Sequence, residues 1–99
     1  MAKSEAQSGK YAVTIRPAAH EDLKSLVKKV DKKQRKRIGK KISGLAVSPR
    51  PAGSKKLSGS DNEYRLRDGN YRILYEIDDE NRIVRVGRIV DRKEAYRGR

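Results

Sequence analysis

Cysteine is absent from the 99 residues, as are phenylalanine and tryptophan, and histidine occurs once. Without Cys there are no disulfides, no thiolate metal sites and no cysteine nucleophile. A single His excludes histidine pairs and His-rich metal sites, so neither a metal nor another cofactor is expected. No window approaches the ~20 apolar residues of a membrane span, and residues 1–9 have none of the apolar character of a secretory signal. These absences fit a cytoplasmic protein. Hydrophobic residues make up only 34% of the chain, so a modest core has to come from Ile, Leu, Val and a few Tyr. The length suits a single domain. Residues 1–10 read as a disordered leader and residues 11–99 as the folded unit.

Positive charge is abundant. Lys and Arg number 26 against 13 acidic residues, a net of +13. Residues 1–50 carry 14 basic and 4 acidic side chains, and residues 24–41 alone carry ten against one. Such a field attracts polyanions and speeds their capture. RNA, DNA, an anionic membrane or an acidic protein would serve. A membrane fits least, because the helical apolar stripe lacks interfacial aromatics.

The apolar pattern changes period along the chain. Tyr11, Val13 and Ile15 alternate with polar residues, which predicts a strand that Pro17 ends. Leu23, Leu26, Val27 and Val30 fall on one helical stripe. Asp31 stands three residues before Gln34, the spacing of a capping box, and opens a second helix with Ile38, Ile42 and Leu45 inward and lysines outward. Gly39 and Gly44 weaken that helix somewhat. Residues 48–62 read as a turn-rich linker with Leu57 as its anchor. Alternation returns at Tyr64 to Arg67, a tight turn follows at Asp68-Gly69-Asn70, and Tyr71 to Ile77 makes the next strand. The chain turns again over residues 78–81. A last strand runs from Ile83 to Val90, where Gly87 is positioned to mark a bulge. The predicted fold is α+β: an N-terminal strand, a two-helix hairpin and an antiparallel three-strand meander, with the helices packed on one face of the sheet.

Arg65 and Arg67 are two apart and share a strand face. Arg72, across the tight turn, lies on the face opposite Tyr71, Ile73 and Tyr75. Pairing of these strands brings three guanidiniums together, with Arg92 and Tyr96 following the last strand. Grouped arginines suit phosphate, whose oxygens match the planar guanidinium fork. The plainer reading is that exposed sheet arginines pair with Glu63, Glu76 or Asp78.

The elements Lys56-Leu57-Ser58-Gly59, Arg65-Leu66-Arg67-Asp68-Gly69-Asn70-Tyr71-Arg72 and Asp91-Arg92-Lys93-Glu94-Ala95-Tyr96 resemble, in order and spacing, motifs of the RelE/ParE toxin superfamily of toxin–antitoxin systems. The resemblance runs from Tyr11 to Arg97. Its RelE-like branch implies a ribosome-dependent, metal-independent endoribonuclease that cuts mRNA in the A site and inhibits translation. Its ParE-like branch implies a DNA gyrase inhibitor without nuclease activity. On the RelE-like pattern, Arg65, Arg67, Arg72, Arg92 and Tyr96 form the catalytic set, with Arg72 on the scissile phosphate. Lys28, Lys32, Lys33, Lys36, Arg37, Lys40, Lys55 and Lys56 would face ribosomal RNA and mRNA. The resemblance also implies an acidic RelB-like antitoxin, with operator DNA reached only through it. Asp91 stands where many relatives have His, and both first-strand positions are Arg where some relatives have Lys. The group that moves the proton is therefore open among Tyr96, Lys56, Arg65 and Asp91. His20, at the start of the first helix, reads as structural.

Overall fold

Pro17 stops one element and starts the next. A computed structural model describes residues 10–92, with strand β1 at Ala12–Ile15 and helix α1 at Pro17–Lys29. A proline at the first helical position loses no helix hydrogen bond, because that N–H has no partner within the helix. The inward stripe of α1 is Ala19, Leu23 and Leu26, with Val30 packed against the core just past its end. That line leaves Val27 one helical step to the side, 61% exposed, where the residue spacing had it inward.

Helix α2 spans Lys32–Gly44, and Asp31 caps it by accepting a hydrogen bond from the Gln34 N–H at 2.9 Å. The reciprocal half of a capping box is not made, because the Gln34 amide is drawn to Asp68 instead. Ile38 and Ile42 are buried on α2, and Leu45 is buried just beyond its end.

Four more strands follow: β2 (Lys55–Lys56), β3 (Glu63–Asp68), β4 (Tyr71–Asp78) and β5 (Ile83–Asp91). The sheet order is β1-β5-β4-β3-β2. The meander is antiparallel as expected, and β1 returns beside β5 in parallel. Gly87 does mark a bulge: Leu74 pairs with Arg88 and Tyr75 with Val86, which leaves Gly87 out of the ladder. The β3–β4 turn needs glycine at its first position. Gly69 has φ 58°, and a Cβ there would sit 2.9 Å from Gln34 Nε2.

The linker is more structured than its composition suggests. Two exposed lysines form β2 along the edge of β3. Leu57 is half-buried but does not hold the segment alone. Tyr75 Oη donates to the Pro49 carbonyl at 2.8 Å, and Arg50 bonds both Tyr64 Oη (3.0 Å) and Asp79 (2.7 Å). Tyr64 and Tyr75 stack at 6.0 Å.

The core lies between the helices and one sheet face, where Leu66, Ile73, Tyr75, Ile77, Val84, Val86 and Ile89 meet Ala19, Leu26, Ile38 and Ile42. Burying such side chains stabilises by roughly 1.5–3 kcal/mol each. No helix among the described residues is long and apolar enough to cross a membrane.

Candidate functional site

Because side chains alternate along a strand, burial of Leu66 and Ile73 against the helices fixes where their neighbours go. Arg65 and Arg67 on β3, and Arg72 and Leu74 on β4, occupy the other face. The register puts Arg67 directly opposite Arg72, and Arg65 opposite Leu74. Lys55 of β2 lies opposite Arg65 and joins the same face. Lys55, Arg65 and Arg67 line a cleft of about 300 Å³ whose remaining wall is Gly53. Arg67 is exposed and Arg65 half-buried. Arg72 is buried, at 4% exposure. Val90, opposite Arg72 on β5, is buried as well.

Two of the carboxylates that could have neutralised Arg65 and Arg67 are engaged elsewhere. Glu76 faces Arg16 at 3.3 Å and Arg85 at 3.7 Å, and Asp78 faces Arg85 at 3.4 Å. Among the described residues, neither Arg65 nor Arg67 makes an ion pair with a carboxylate. The Arg92 N–H donates to the Asn70 carbonyl at 2.6 Å, which brings Arg92 to the turn end of the β3–β4 hairpin. Tyr96 lies outside the described residues. Asp91 pairs with Tyr71 and lines a small cleft with Asp22, Ser25 and Lys29. It therefore sits on the Tyr71 side of the sheet, opposite the arginine face.

The basic helix residues divide by environment. Lys28, Lys32, Lys33, Lys36 and Lys40 are exposed on α1 and α2. Arg37 is exposed too, but its guanidinium is committed to Asp68. Lys56 is exposed and lies opposite Tyr64, on the other parity from Lys55. His20 is exposed on α1, beside Ile15, Pro17 and Lys24. Among the described residues no group of three or more His, Cys, Asp or Glu could hold a metal ion.

Asp68 is the feature that residue spacing did not single out. Its carboxylate is buried, with the residue 2% exposed. Arg37 grips it with two bonds, Nε to Oδ2 at 3.2 Å and Nη2 to Oδ1 at 3.0 Å. Lys41 Nζ lies 3.2 Å from Oδ2 and donates to the Arg67 carbonyl at 2.8 Å. Gln34 Nε2 donates to the Asp68 carbonyl and to Oδ1, both at 3.2 Å. Burial alone would raise the Asp68 pKa, but the bonds from Arg37 and Lys41 outweigh it and hold it below the usual carboxylate range. Three side chains of α2 thus brace the hairpin tip that carries Arg67 and Arg72. The signal was present in the parity: residue 68 shares the inward face of Tyr64 and Leu66, where a carboxylate needs cations.

A second polar cluster fastens the linker beside this face. The hydrogen bonds that Arg50 donates to Asp79 raise the Arg50 pKa, and Arg50 and Tyr11 in turn lower that of Asp79. Tyr11 Oη donates to Asp79 at 2.5 Å.

Comparison with known proteins bears on this arrangement. A family described as the ParE toxin of the type II toxin–antitoxin system parDE matches residues 13–96. A curated protein of Methanocaldococcus jannaschii named "Putative toxin RelE1" is 32% identical over 91 residues, which cover 89% of this chain and 97% of that protein. A chain of the RelB–RelE antitoxin–toxin complex from Methanococcus jannaschii superposes with a TM-score of 0.66 at 28% identity, covering 86% of this chain and 96% of its own. A chain of the archaeal RelE–RelB complex from Pyrococcus horikoshii gives a TM-score of 0.70 over 83% of this chain and 94% of its own. Its identity of 24% makes that a likeness of fold.

Proposed function

The chain belongs to the RelE/ParE superfamily of type II toxins, and from that premise we propose that it is a ribosome-dependent endoribonuclease that cuts mRNA in the A site. One observation carries the reading. Arg67 and Arg72 stand directly opposite one another on the sheet face away from the helices, with Arg65 and Lys55 beside them. Like charges across a strand pair cost free energy, and a bound phosphate offsets that cost.

The reaction uses a nucleophile that the substrate brings. The RNA 2′-oxygen attacks its adjacent phosphorus, the bond from phosphorus to the 5′-oxygen breaks, and a 2′,3′-cyclic phosphate and a 5′-hydroxyl result. The 2′-OH proton leaves as the new bond forms, and the departing 5′-oxygen takes one up. Negative charge grows on the phosphate oxygens and the leaving oxygen. Arg65, Arg67, Arg72 and Arg92 are the cations proposed to meet it, and Tyr96 is proposed to stack on a base or to take a proton. Donors fixed in advance and aimed at developing charge are worth about 3–4 kcal/mol each. Holding the strand bent and in line lowers the barrier further, and the ribosome supplies part of that constraint. The exposed lysines of α1 and α2 would contact ribosomal RNA.

A cognate RelB-like antitoxin is the partner this reading implies, in keeping with relatives solved as RelB–RelE complexes. Its acidic surface would cover the arginine face, and operator DNA would be reached through it. The cytoplasm is the compartment where these partners meet. Because the matching family model is that of ParE, gyrase inhibition is the second reading, and one experiment separates the two. Purified protein is added to a translating extract and to a supercoiling assay. Cuts within A-site codons support the nuclease. Blocked supercoiling with intact mRNA supports the gyrase inhibitor.

A further inference from the structure

Two clefts meet at Arg67, and we propose that the second seats the base of a nucleotide whose phosphate occupies the first. The inference rests on the nuclease reading and adds to it a site that grips one base beside the cut. The first cleft is the basic one lined by Lys55, Arg65 and Arg67. The second, of about 320 Å³, opens between the end of α2, residues 51–53 and β3. Its walls are mostly apolar, with Leu66, Pro51 and Ala52, and its two cations are Lys41 and Arg67. Gly53 and Arg67 line both clefts, so the two adjoin along this wall.

This juxtaposition matches the chemistry of a nucleotide, which joins a charged phosphate to a flat ring of low polarity. An isolated anion would use the basic cleft and leave the apolar walls unoccupied. The size lies at the lower end of ordinary ligand pockets, suited to a single ring system. The cations beside it suit the π-face and carbonyl edges of a base. Its geometry is fixed as well. Lys41 holds both the Arg67 carbonyl (2.8 Å) and Asp68 (3.2 Å), so this cation and the strand beneath it move together. At the shared wall Gly53 has φ 93°, a backbone conformation that favours glycine. Single-stranded RNA is recognised by such splayed, unstacked bases.

The test uses the full chain, with methyl groups of Ala52 and Leu66 and side chains of Arg65 and Arg67 followed by NMR. The probes are inorganic phosphate, ribose 5-phosphate and adenosine 5′-monophosphate. All three should shift the arginine signals. Only the adenosine compound should shift the methyls of both residues, and it should bind about tenfold more tightly than ribose 5-phosphate, the effect of burying part of the ring. Ala52→Leu, at an exposed position, should fill the second cleft and bring the adenosine compound down to the affinity of ribose 5-phosphate. Equal affinity of the two sugar phosphates for the native chain, or unmoved methyls, would overturn the base site while leaving the phosphate cleft standing. No arginine shift with any probe would overturn both.

Discussion

Replacing Asp68 by alanine removes the anion to which α2 is tied. Deleting one partner of a buried ion pair costs about 3–5 kcal/mol, and a hydrogen bond to a charged group contributes about 1.5–3 kcal/mol. Here the side chains of Arg37 and Lys41 keep 55% and 39% of their exposure, so both can rehydrate once the carboxylate is gone. The lower end therefore applies, a loss of about 2–3 kcal/mol, out of the ~5–15 kcal/mol that holds a domain of this size folded. The Tm should fall by about 10–20 °C. Asp68→Asn keeps an oxygen for Gln34 but not the charge, and should lose less. The pH dependence has a definite sign. The folded-state pKa of Asp68 is lowered, so its contribution is complete above the unfolded value near ~3.9 and disappears as pH falls through the folded value. Urea denaturation of native protein and Asp68→Asn from pH 7 to pH 2 should give curves that begin to converge below about pH 4. A loss under ~1 kcal/mol for Asp68→Ala, or a gap that stays constant into acid, would refute the brace.

Arg67→Ala truncates an exposed side chain and should leave stability within ~0.5 kcal/mol. It should lower the rate of ribosome-dependent mRNA cleavage by roughly 10²–10³-fold in single-turnover assays. Unchanged cleavage would remove Arg67 from the catalytic set. Arg72→Ala should abolish cleavage as well, but Arg72 is buried, so its variant must be compared at matched folded fraction. The triple change Lys32→Gln, Lys33→Gln and Lys36→Gln should weaken ribosome binding and flatten its dependence on salt; sedimentation at several salt concentrations would reveal an unaltered slope if these lysines face only solvent. Tyr11 has a raised pKa, chiefly through its hydrogen bond to Asp79. In Asp79→Asn the Tyr11 ring carbon resonances should titrate at lower pH than in the native chain, and titration at the same pH would place the cause elsewhere.

Local rules reached far into this fold. Pro17, Asp31, Gly69 and Gly87 each act through backbone geometry that a few neighbouring residues determine, so their roles were legible without tertiary knowledge. Parity alone placed Arg65 and Arg67 together and Arg72 with them, because one buried residue in each strand fixes the rest. The readings that failed depended on docking. Val27 belongs to an apolar stripe by spacing, yet α1 meets the sheet along Ala19, Leu23 and Leu26, and a rotation of one residue decides exposure. Gln34 had a local partner in Asp31 and found a distant one in Asp68. Strand β2 contains two exposed lysines with no alternation to announce it, and edge pairing with β3 creates it. Arg50 sat in a polar linker, where no spacing rule connects it to Asp79 across the sheet.

The two ends of the sheet face treat charge differently, and the difference separates what folding requires from what it leaves over. Glu63 stands opposite Glu76 just as Arg67 stands opposite Arg72, so each end contains a like-charge pair. At the acidic end Glu76 is answered within the chain by Arg16, Arg85 and the Asn62 amide at 3.2 Å. At the basic end Asp68, the carboxylate next to Arg67 in sequence, faces the helix side, where Arg37 and Lys41 pair with it. Like charges on one strand face repel, and among the described residues Arg65 and Arg67 make no ion pair with a carboxylate, an arrangement that packing does not require. Exchanging either for a neutral strand former would serve the sheet equally well. On the proposed nuclease reading, an external phosphate would offset that repulsion, and Asp68, one residue from Arg67, turns its carboxylate to the opposite face.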